Sequence, residues 1–376
     1  MAQRILTTSV PKPSIDLSAA LTRVARLTRR SPVKVALDVM AAMLSAQKLT
    51  AAEYFGQGAW LGSPTEYVGA TSNLRLNKSL TAAGKVDLTA LMHDKYLTGI
   101  ILEANGFPVP RLKAVFSTDR AYSAETLRTP EALANWIGDA GNTPAFGKPV
   151  DGSMALGSIP LRAAARGMVD VGGREVEAAA LAREVAKAFP RGWLIQELLR
   201  QPAEIETLIG PGIGTLRVVT LWEAAGPQIL YGVWRHPAVG TWVDAAIFGR
   251  PNVGCALDPA TGETLSAHLG DHFNGKPITH SLVTPDLPLV GYHLPGWRDI
   301  TRICTEAHRL FPGHALLGWD IAVTERGPVI SELNTNPLHM SYQRAFKRGF
   351  LNKDHVSRLD AARALMAGRV GKSVGP

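Results

Sequence analysis

GWDIAVTERGPVISELN, residues 318–334, contains two apolar runs joined by a charged turn with a Gly-Pro pair, which predicts a β-hairpin. Glu332 and Asn334 are two positions apart, so on a strand their side chains project from the same face. Asp320 lies level with them on the partner strand. An odd-length loop places it beside them, whereas an even loop turns it away. We expect an odd loop with Gly327 in a left-handed bulge.

These three polar side chains would form a set of hard oxygen ligands, two carboxylates and one amide. Such a set suits Mg²⁺, which prefers a few protein oxygens completed by water and phosphate, and Mn²⁺ uses the same ligand types. The other interpretation is that they mark the solvent face of an ordinary hairpin. The next residues, Thr335-Asn336-Pro337, are an unusual continuation for a strand and favour the metal site.

The segment from Ser331 to Pro337, preceded by Asp320, resembles the metal-binding signature of the ATP-grasp superfamily. Three more phrases resemble its sugar-transfer-associated or alpha-L-glutamate-ligase-related branch: LTAAEYF at 49–55, WLIQE at 193–197 and GTLRVVT at 214–220. The resemblance runs from about residue 49 to about residue 345. It implies an ATP-grasp fold, in which two α+β lobes with antiparallel sheets enclose ATP. Enzymes of that superfamily typically join a carboxylate to an amine through an acyl-phosphate.

The resemblance assigns two lysines to the phosphates of ATP. Lys95 stands at the start of a predicted helix, and an exposed helical lysine is its other interpretation. Lys148 lies on a predicted strand just before a glycine-containing loop, residues 152–157. An ammonium group neutralises phosphate charge while such a loop closes over it.

The strand that ends in Gln196, Glu197 and Leu198 matches the segment whose backbone recognises adenine in similar proteins. Glu197 and Leu198 would edge the base, and Gln196 is otherwise a hydrogen-bonded strand residue. Glu204, seven residues beyond Glu197, matches a position that binds the ribose hydroxyls. These four residues complete the nucleotide site that the resemblance implies.

Arg217 alternates with large apolar residues in the segment 214–220, so on residue pattern alone it could face solvent. Its match to the family phrase implies a phosphate-binding role, through a bidentate fork on developing charge. Arg235 and Asp244 resemble acceptor-side positions. The branch usually has Asp followed by Asn and a double glycine, whereas this chain has Asp244 followed by two alanines. That departure leaves the acceptor substrate open.

Strand and helix patterns alternate irregularly along the chain, which indicates an α+β protein with antiparallel sheets. We expect a helical N-terminal module over residues 1–86 and an ATP-grasp domain over residues 87–376. The domain divides into an N-lobe at 87–197, carrying the phosphate-covering loop, and a C-lobe at 198–376, carrying the metal site. A helical module at this position departs from many ATP-grasp ligases, which place an α/β domain there.

The chain has 376 residues, 46% of them apolar, and two cysteines, so neither a disulfide framework nor a zinc cage is expected. It has no long apolar run and no secretory signal pattern, which predicts a cytoplasmic protein without a transmembrane segment. Residues 1–50 and 341–376 each carry eight Lys or Arg against two Asp. Little aromatic interleaving argues against nucleic acid. Solvated helix faces explain these charges, and attraction of an anionic substrate, glycan or membrane surface is the alternative.

The resemblance therefore predicts an ATP-dependent carboxylate–amine ligase that forms an amide bond and releases ADP and phosphate. Its substrates would be small molecules, such as amino acids, peptides or amino sugars, and a homodimer is left open. Two alternatives use the same nucleotide site. One is a kinase that transfers phosphate without forming an amide, and the other is an ATP-binding accessory of polysaccharide biosynthesis without ligase chemistry.

Overall fold

Two seven-stranded sheets form the centre of the protein in a computed structural model that describes residues 4–9, 15–82, 87–242 and 251–370. The first sheet has the order β2-β1-β7-β3-β4-β5-β6, and its neighbours are antiparallel except for β1 and β2. Its strands are β1 (Leu112–Phe116), β2 (Thr126–Leu127), β3 (Ala145–Pro149), β4 (Ile159–Ala163), β5 (Met168–Asp170), β6 (Glu175–Glu177) and β7 (Trp193–Glu197).

The second sheet is antiparallel throughout and has the order β12-β11-β10-β9-β8-β13-β14. Its strands are β8 (Thr215–Glu223), β9 (Gly226–His236), β10 (Val253–Leu257), β11 (Thr264–Leu269), β12 (Lys276–Ile278), β13 (Leu316–Thr324) and β14 (Gly327–Asn334). The α+β class with antiparallel sheets, predicted from the irregular alternation of patterns, is confirmed.

Twelve α-helices are described. They are α1 (Leu17–Thr28), α2 (Pro32–Leu44), α3 (Ala51–Gly56), α4 (Ala70–Ser79), α5 (Thr89–His93), α6 (Lys95–Ala104), α7 (Pro130–Gly138), α8 (Ala178–Ala188), α9 (Ala203–Ile209), α10 (Trp297–His308), α11 (Met340–Phe346) and α12 (Lys353–Val370). Helices α7 and α8 pack against the first sheet, while α10 packs on one face of the second sheet and α11 and α12 pack on the other.

The N-terminal helices begin where the sequence signals them. The side chains of Asp16 and Ser31 cap α1 and α2, and Pro32 occupies the first turn of α2. Thr50 and Glu53 form a reciprocal capping box at α3. These helices enclose a small apolar core of their own.

Residues 4–9, which precede these helices, pack against a different part of the molecule. The backbone N–H groups of Ile5 and Leu6 donate to the Glu184 carboxylate on α8, each at 3.0 Å, and Leu6 is buried in the core of the first sheet. This segment therefore contacts helix α8 and the core of the first sheet. The boundary at residue 86 lies outside the described residues and remains a prediction.

Two helical patterns in the sequence do not each form one continuous helix over their full length. The helical pattern from about Leu88 to Gly106 is divided into α5 and α6, because the Asp94 carboxylate accepts hydrogen bonds from two N–H groups of the next turn and starts a new helix. The helical pattern that starts at about Arg174 forms a helix only from Ala178, because residues 175–177 pair with β5 as strand β6. In both places a local cap or a neighbouring strand outweighs helical periodicity.

Candidate active site

Hairpin β13–β14 brings Asp320 and Glu332 directly opposite each other, by a route that differs from the expected one. Thr324 pairs with Gly327, so the loop contains two residues rather than an odd number, although Gly327 has the expected positive φ of 98°. An even loop alone would pair Asp320 with Ser331. The register shifts by one residue at Ser331, which is a β-bulge, and the shift moves Glu332 to the same side of the sheet as Asp320.

The bulge is fixed by two contacts. The Ser331 hydroxyl donates to the Asp320 carbonyl at 2.8 Å. The Ser331 carbonyl accepts a hydrogen bond from the Lys148 ammonium, on β3 of the other sheet, at 3.0 Å. The bulge therefore places the two carboxylates opposite each other, and its backbone also accepts a hydrogen bond from Lys148. Beyond it, Asn334 pairs with Gly318, two positions along from Glu332 and on the same face.

The Asp320 side chain is buried between two arginines. It lies opposite Arg217 on β8, whose Nε and Nη2 donate to Oδ1 at 2.6 Å and to Oδ2 at 3.1 Å. Arg235 on β9 reaches the same Oδ1 from Nη2 at 3.1 Å. Burial by itself would raise the pKa of Asp320, but the two guanidinium groups outweigh burial and hold that pKa below its usual value. The carboxylate is therefore ionised.

Two lysines that lie outside the second sheet, Lys148 and Lys95, approach the hairpin. Burial lowers the pKa of Lys148 to about 8, with Glu332 opposing and Lys95 reinforcing the shift. Lys95 lies at the first position of α6, with its ammonium 3.9 Å from the Glu332 carboxylate, and it also donates to the Gly152 carbonyl. Residues 150–158 connect β3 to β4 and include the loop 152–157, so Lys95 contacts the loop that was expected to cover the phosphates.

The strand that carries Lys148 is held close to its neighbour by a glycine. A Cβ atom at Gly147 would lie 1.9 Å from Cη2 of Trp193 on β7, so no larger residue fits without displacing the indole ring. The indole N–H of Trp193 donates to the Gly157 carbonyl at 2.9 Å. The same tryptophan therefore supports both the lysine strand and the end of the covering loop.

A cleft between the two sheets connects these groups. Its empty volume is about 590 Å³, which includes the open solvent at its mouth. Four of the expected nucleotide and metal residues line it: Lys95, Lys148, Gln196 and Glu332. Apolar side chains of α6, of the segment after it and of β14 form much of the remaining wall, as a base-binding pocket requires.

Glu197, Leu198 and Glu204 do not line this cleft. The Glu197 carboxylate accepts hydrogen bonds from the Arg111 N–H at 3.0 Å and from Arg326 at 2.7 Å, and these partners lower its pKa against the opposing effect of burial. Its own N–H donates to the Arg111 carbonyl at 2.9 Å. Glu197 thus joins the first sheet to the turn of hairpin β13–β14, while Glu204 is exposed in the first turn of α9.

A buried polar network beyond Asn334 was not anticipated from the sequence. Asn73 and Asn77, one turn apart on α4, each donate to the side-chain oxygen of Asn336 and to the Pro337 carbonyl, at 2.7–3.1 Å. Their own side-chain oxygens face His339, at 3.0 Å from its backbone N–H and from its Nε2. Helix α4 therefore positions the segment that follows strand β14.

The network continues to a tyrosine of the second sheet. Because Asn77 Oδ1 accepts from Nε2 of His339, the Nδ1 atom is the acceptor for the Tyr231 hydroxyl, at 2.9 Å. Burial keeps the pKa of His339 well below its usual value, so the ring is neutral. The asparagine spacing of four residues on one helix face was the available signal in the sequence.

The donor set at the hairpin fits a hard divalent cation. Arg217 and Arg235 occupy two lone-pair sites on Oδ1 and one on Oδ2 of Asp320, which leaves one on Oδ2. The Asn334 amide nitrogen is buried with no hydrogen-bond partner among the described residues. No three His, Cys, Asp or Glu side chains in the described parts of the chain form a metal cluster, so a metal ion held here would also need the side-chain oxygen of Asn334.

The structure describes one of the two expected acceptor-side residues. Arg235, on β9, contacts Asp320 of the hairpin. Asp244 lies outside the described residues. Four cations, Lys95, Lys148, Arg217 and Arg235, surround the two carboxylates Asp320 and Glu332, so these six groups together carry a net charge of +2. Such a site attracts a polyanion.

The family model described as sugar-transfer associated ATP-grasp matches residues 80–358. Among solved structures, the D-alanine–D-alanine ligase of Coxiella burnetii is 15% identical over 75% of this chain and 59% of its own, with a TM-score of 0.40. The corresponding ligase of Bacillus anthracis is 12% identical over 84% of this chain and 80% of its own, with a TM-score of 0.42. The VanG D-Ala:D-Ser ligase of Enterococcus faecalis is 12% identical over 74% and 62%, with a TM-score of 0.43.

This chain thus spans less than two thirds of the Coxiella and Enterococcus ligases. No protein with a curated description matches the sequence. None of the helices in the described part of the chain combines the length and the apolarity that crossing a membrane requires.

Proposed function

Because this chain belongs to the sugar-transfer-associated ATP-grasp family, we propose that it is an ATP-dependent ligase that joins a small carboxylate to an amine. The observation that carries the proposal is that Lys95 and Lys148 meet Glu332 in the cleft, with Asp320 directly opposite Glu332 on the hairpin. The net charge of +2 on the four cations and two carboxylates named above favours binding of magnesium-bound ATP, which carries two negative charges. ATP binding is the common requirement of every alternative considered above.

We assign the nucleotide contacts as follows. Lys148 and Lys95 would neutralise phosphate oxygens, and Gln196 with the apolar wall of the cleft would border the base. Asp320, Glu332 and Asn334 would hold Mg²⁺, or Mn²⁺ with the same ligands, and the ion when bound adds charge neutralisation on the phosphates. Glu197 would act through its structural contacts, and Leu198 and Glu204 remain predictions without a described role in the cleft.

The reaction we propose has two steps. The substrate carboxylate attacks the terminal phosphorus of ATP, the bond to ADP breaks, and an acyl-phosphate forms. The amine then attacks the acyl carbon, phosphate leaves, and the nitrogen loses a proton to give the amide. Arg217 would stabilise the transferred phosphoryl group, and Arg235 would attract the carboxylate. Together with Asp244, Arg235 would define the acceptor side.

The arginine pair supports a ligase rather than a kinase. A kinase needs a base near the hydroxyl that receives phosphate. The two carboxylates of the hairpin each face a cation, since Asp320 contacts both arginines and Glu332 lies near Lys95, so neither is free to act as that base. A carboxylate substrate is already ionised and needs no base in the first step, whereas it does benefit from nearby guanidinium groups.

The test is to incubate the protein with ATP and Mg²⁺ and with pools of amino acids, peptides or amino sugars. A ligase releases ADP and phosphate only when both a carboxylate and an amine are present. A phosphorylated product instead would identify a kinase, and nucleotide binding without turnover would identify an accessory protein; either result contradicts the proposal.

The metal assignment is tested by Glu332→Gln, with Glu325→Gln in the turn of the same hairpin as the matched control. Glu332→Gln keeps side-chain volume but removes a charged ligand, so we expect turnover to fall by at least about 100-fold. Glu325→Gln should retain turnover, because Glu325 is exposed at the far end of the hairpin. Equal activity of the two variants would overturn the metal assignment.

A further inference from the structure

Helix α2 is apolar on two opposite faces. Its inner face packs into the core of the helical module through Val35, Val39 and Ala42. Its outer face carries four large apolar side chains at successive spacings of four, three and four residues. Their exposed fractions are 70% for Val33, 58% for Leu37, 55% for Met40 and 75% for Leu44. We call these four residues the α2 stripe.

The stripe is not the margin of the core. At about 100° of rotation per residue, its four members fall within an arc of about 60°, and the buried residues lie on the opposite side of the helix. Within the described parts of the chain, seven of the sixteen exposed large apolar side chains belong to α1 and α2. A contiguous apolar surface of this kind marks an interaction site, whereas scattered single residues do not.

Basic residues surround the stripe. Arg29 and Arg30 precede the start of α2, Lys34 lies in its first turn and Lys48 follows its end. The described residues 15–50 hold six Lys or Arg and two Asp, a net charge of +4. One of the two, Asp38, is already paired with Arg30. The negative partner that would balance this rim is therefore not in the segment itself.

We propose that the α2 stripe docks on the surface of an anionic lipid bilayer. Val33, Leu37, Met40 and Leu44 would enter the boundary between headgroups and acyl chains, while Arg29, Lys34 and Lys48 contact negatively charged headgroups. A helix with an apolar face bordered by Lys and Arg binds membranes in this way, through apolar burial and electrostatic attraction together.

Charge separates this partner from a second copy of the chain. Two stripes packed face to face would bring two surfaces of net charge +4 within a Debye length, which opposes association. Four side chains on one helix also supply only part of the roughly 800 Å² per partner that a stable protein interface buries. An anionic bilayer meets both the apolar and the electrostatic requirement. The proposal is independent of the reaction at the ATP site.

Sedimentation of the whole chain with lipid vesicles tests the proposal. The vesicles are made of phosphatidylcholine alone or of phosphatidylcholine mixed with phosphatidylserine, at low and high salt. We expect the protein to sediment with the mixed vesicles and to be released by salt. The variant Leu37→Gln/Leu44→Gln should bind at least about tenfold more weakly, since two apolar side chains no longer enter the lipid.

Leu265→Gln is the matched control, because Leu265 is 47% exposed on β11, away from the stripe. It should bind vesicles like the original chain, and circular dichroism should show that all variants remain folded. Absence of binding to mixed vesicles, or equal binding by the double variant, overturns the proposal. So does a dimer in light scattering that the double variant converts to a monomer, because a second copy would then occupy the stripe.

Discussion

Lys148 combines a buried position with a contact that only its ammonium form makes well. Burial brings its pKa down from 10.5 to about 8, so it is still mostly protonated at neutral pH and begins to lose its charge just above. A bound triphosphate would favour the protonated form. Nucleotide affinity should therefore fall as the pH rises through 8, by up to about tenfold per pH unit for one linked proton.

Calorimetric titration of a nonhydrolysable ATP analogue at several pH values measures this dependence. Lys148→Arg is the control, since a guanidinium stays charged throughout and should remove the pH dependence above 8. In the protein without nucleotide the same shift acts oppositely on stability. The unfolded chain binds more protons between pH 8 and 10.5, so the contribution of Lys148 to folding becomes more favourable as pH rises through that window. An affinity that is flat across pH 8 contradicts the assignment of Lys148 to phosphate.

Arg217 and Arg326 provide a comparison between a buried and an exposed ion pair. Arg217→Met removes two hydrogen bonds from Asp320, which stays buried with Arg235 as its remaining charged partner. We expect a loss of about 3 kcal/mol in the free energy of unfolding. Arg326→Met breaks an exposed contact with Glu197 and should cost less than about 1 kcal/mol. Urea unfolding of both variants measures the difference, and similar losses would show that burial does not govern the Asp320 pair.

At the scale of elements, helix α4 connects the N-terminal module to the hairpin. Asn77→Ala removes donors to Asn336 and Pro337 and leaves Nε2 of the buried His339 without its acceptor. An unsatisfied buried polar group costs about 1–3 kcal/mol, so the melting temperature should fall. If α4 positions Glu332 and Asn334 on strand β14, the concentration of Mg²⁺ required for half-maximal turnover should also rise.

Lys78→Ala is the matched control for this prediction, because Lys78 is the next residue of α4 and is exposed. It should change neither the melting temperature nor the Mg²⁺ requirement. A variant Asn77→Ala that is less stable but has an unchanged Mg²⁺ requirement would limit the network to a structural role.

Hairpin β13–β14 shows where sequence reasoning reaches its limit at this scale. Alternation of apolar and polar residues predicts both strands and the shared face of Glu332 and Asn334. The side on which Asp320 lies depends on Ser331, and the bulge there is stabilised by Lys148, which is distant in sequence. Local patterns contain no signal of that contact. The loop length was therefore predicted wrongly, although the two carboxylates still meet.

At the scale of the whole molecule, residue types predicted the α+β class, the main strands and the family, because these follow from periodicity and from an ordered series of phrases. Contacts between elements were not predictable in the same way. The ion pairs of Asp320 require knowing that β8, β9 and β13 are neighbours, and the role of Asn77 requires knowing where α4 docks. The short strands β5 and β6 hold too few residues for a period of two to be distinguished.

The position of the cleft predicts how a ligand affects the whole molecule. Lys148 belongs to the first sheet and Glu332 to the second, so a magnesium-bound nucleotide that contacts both adds contacts between them. At a ligand concentration one hundred times the dissociation constant, the folded state gains about 2.7 kcal/mol, which should raise the melting temperature by several degrees. Differential scanning fluorimetry with a nonhydrolysable ATP analogue and Mg²⁺ measures this shift. Glu332→Gln should lose the part that depends on Mg²⁺, Lys148→Met should lose most of it, and Glu325→Gln should keep it. A full shift in Lys148→Met would place the nucleotide elsewhere.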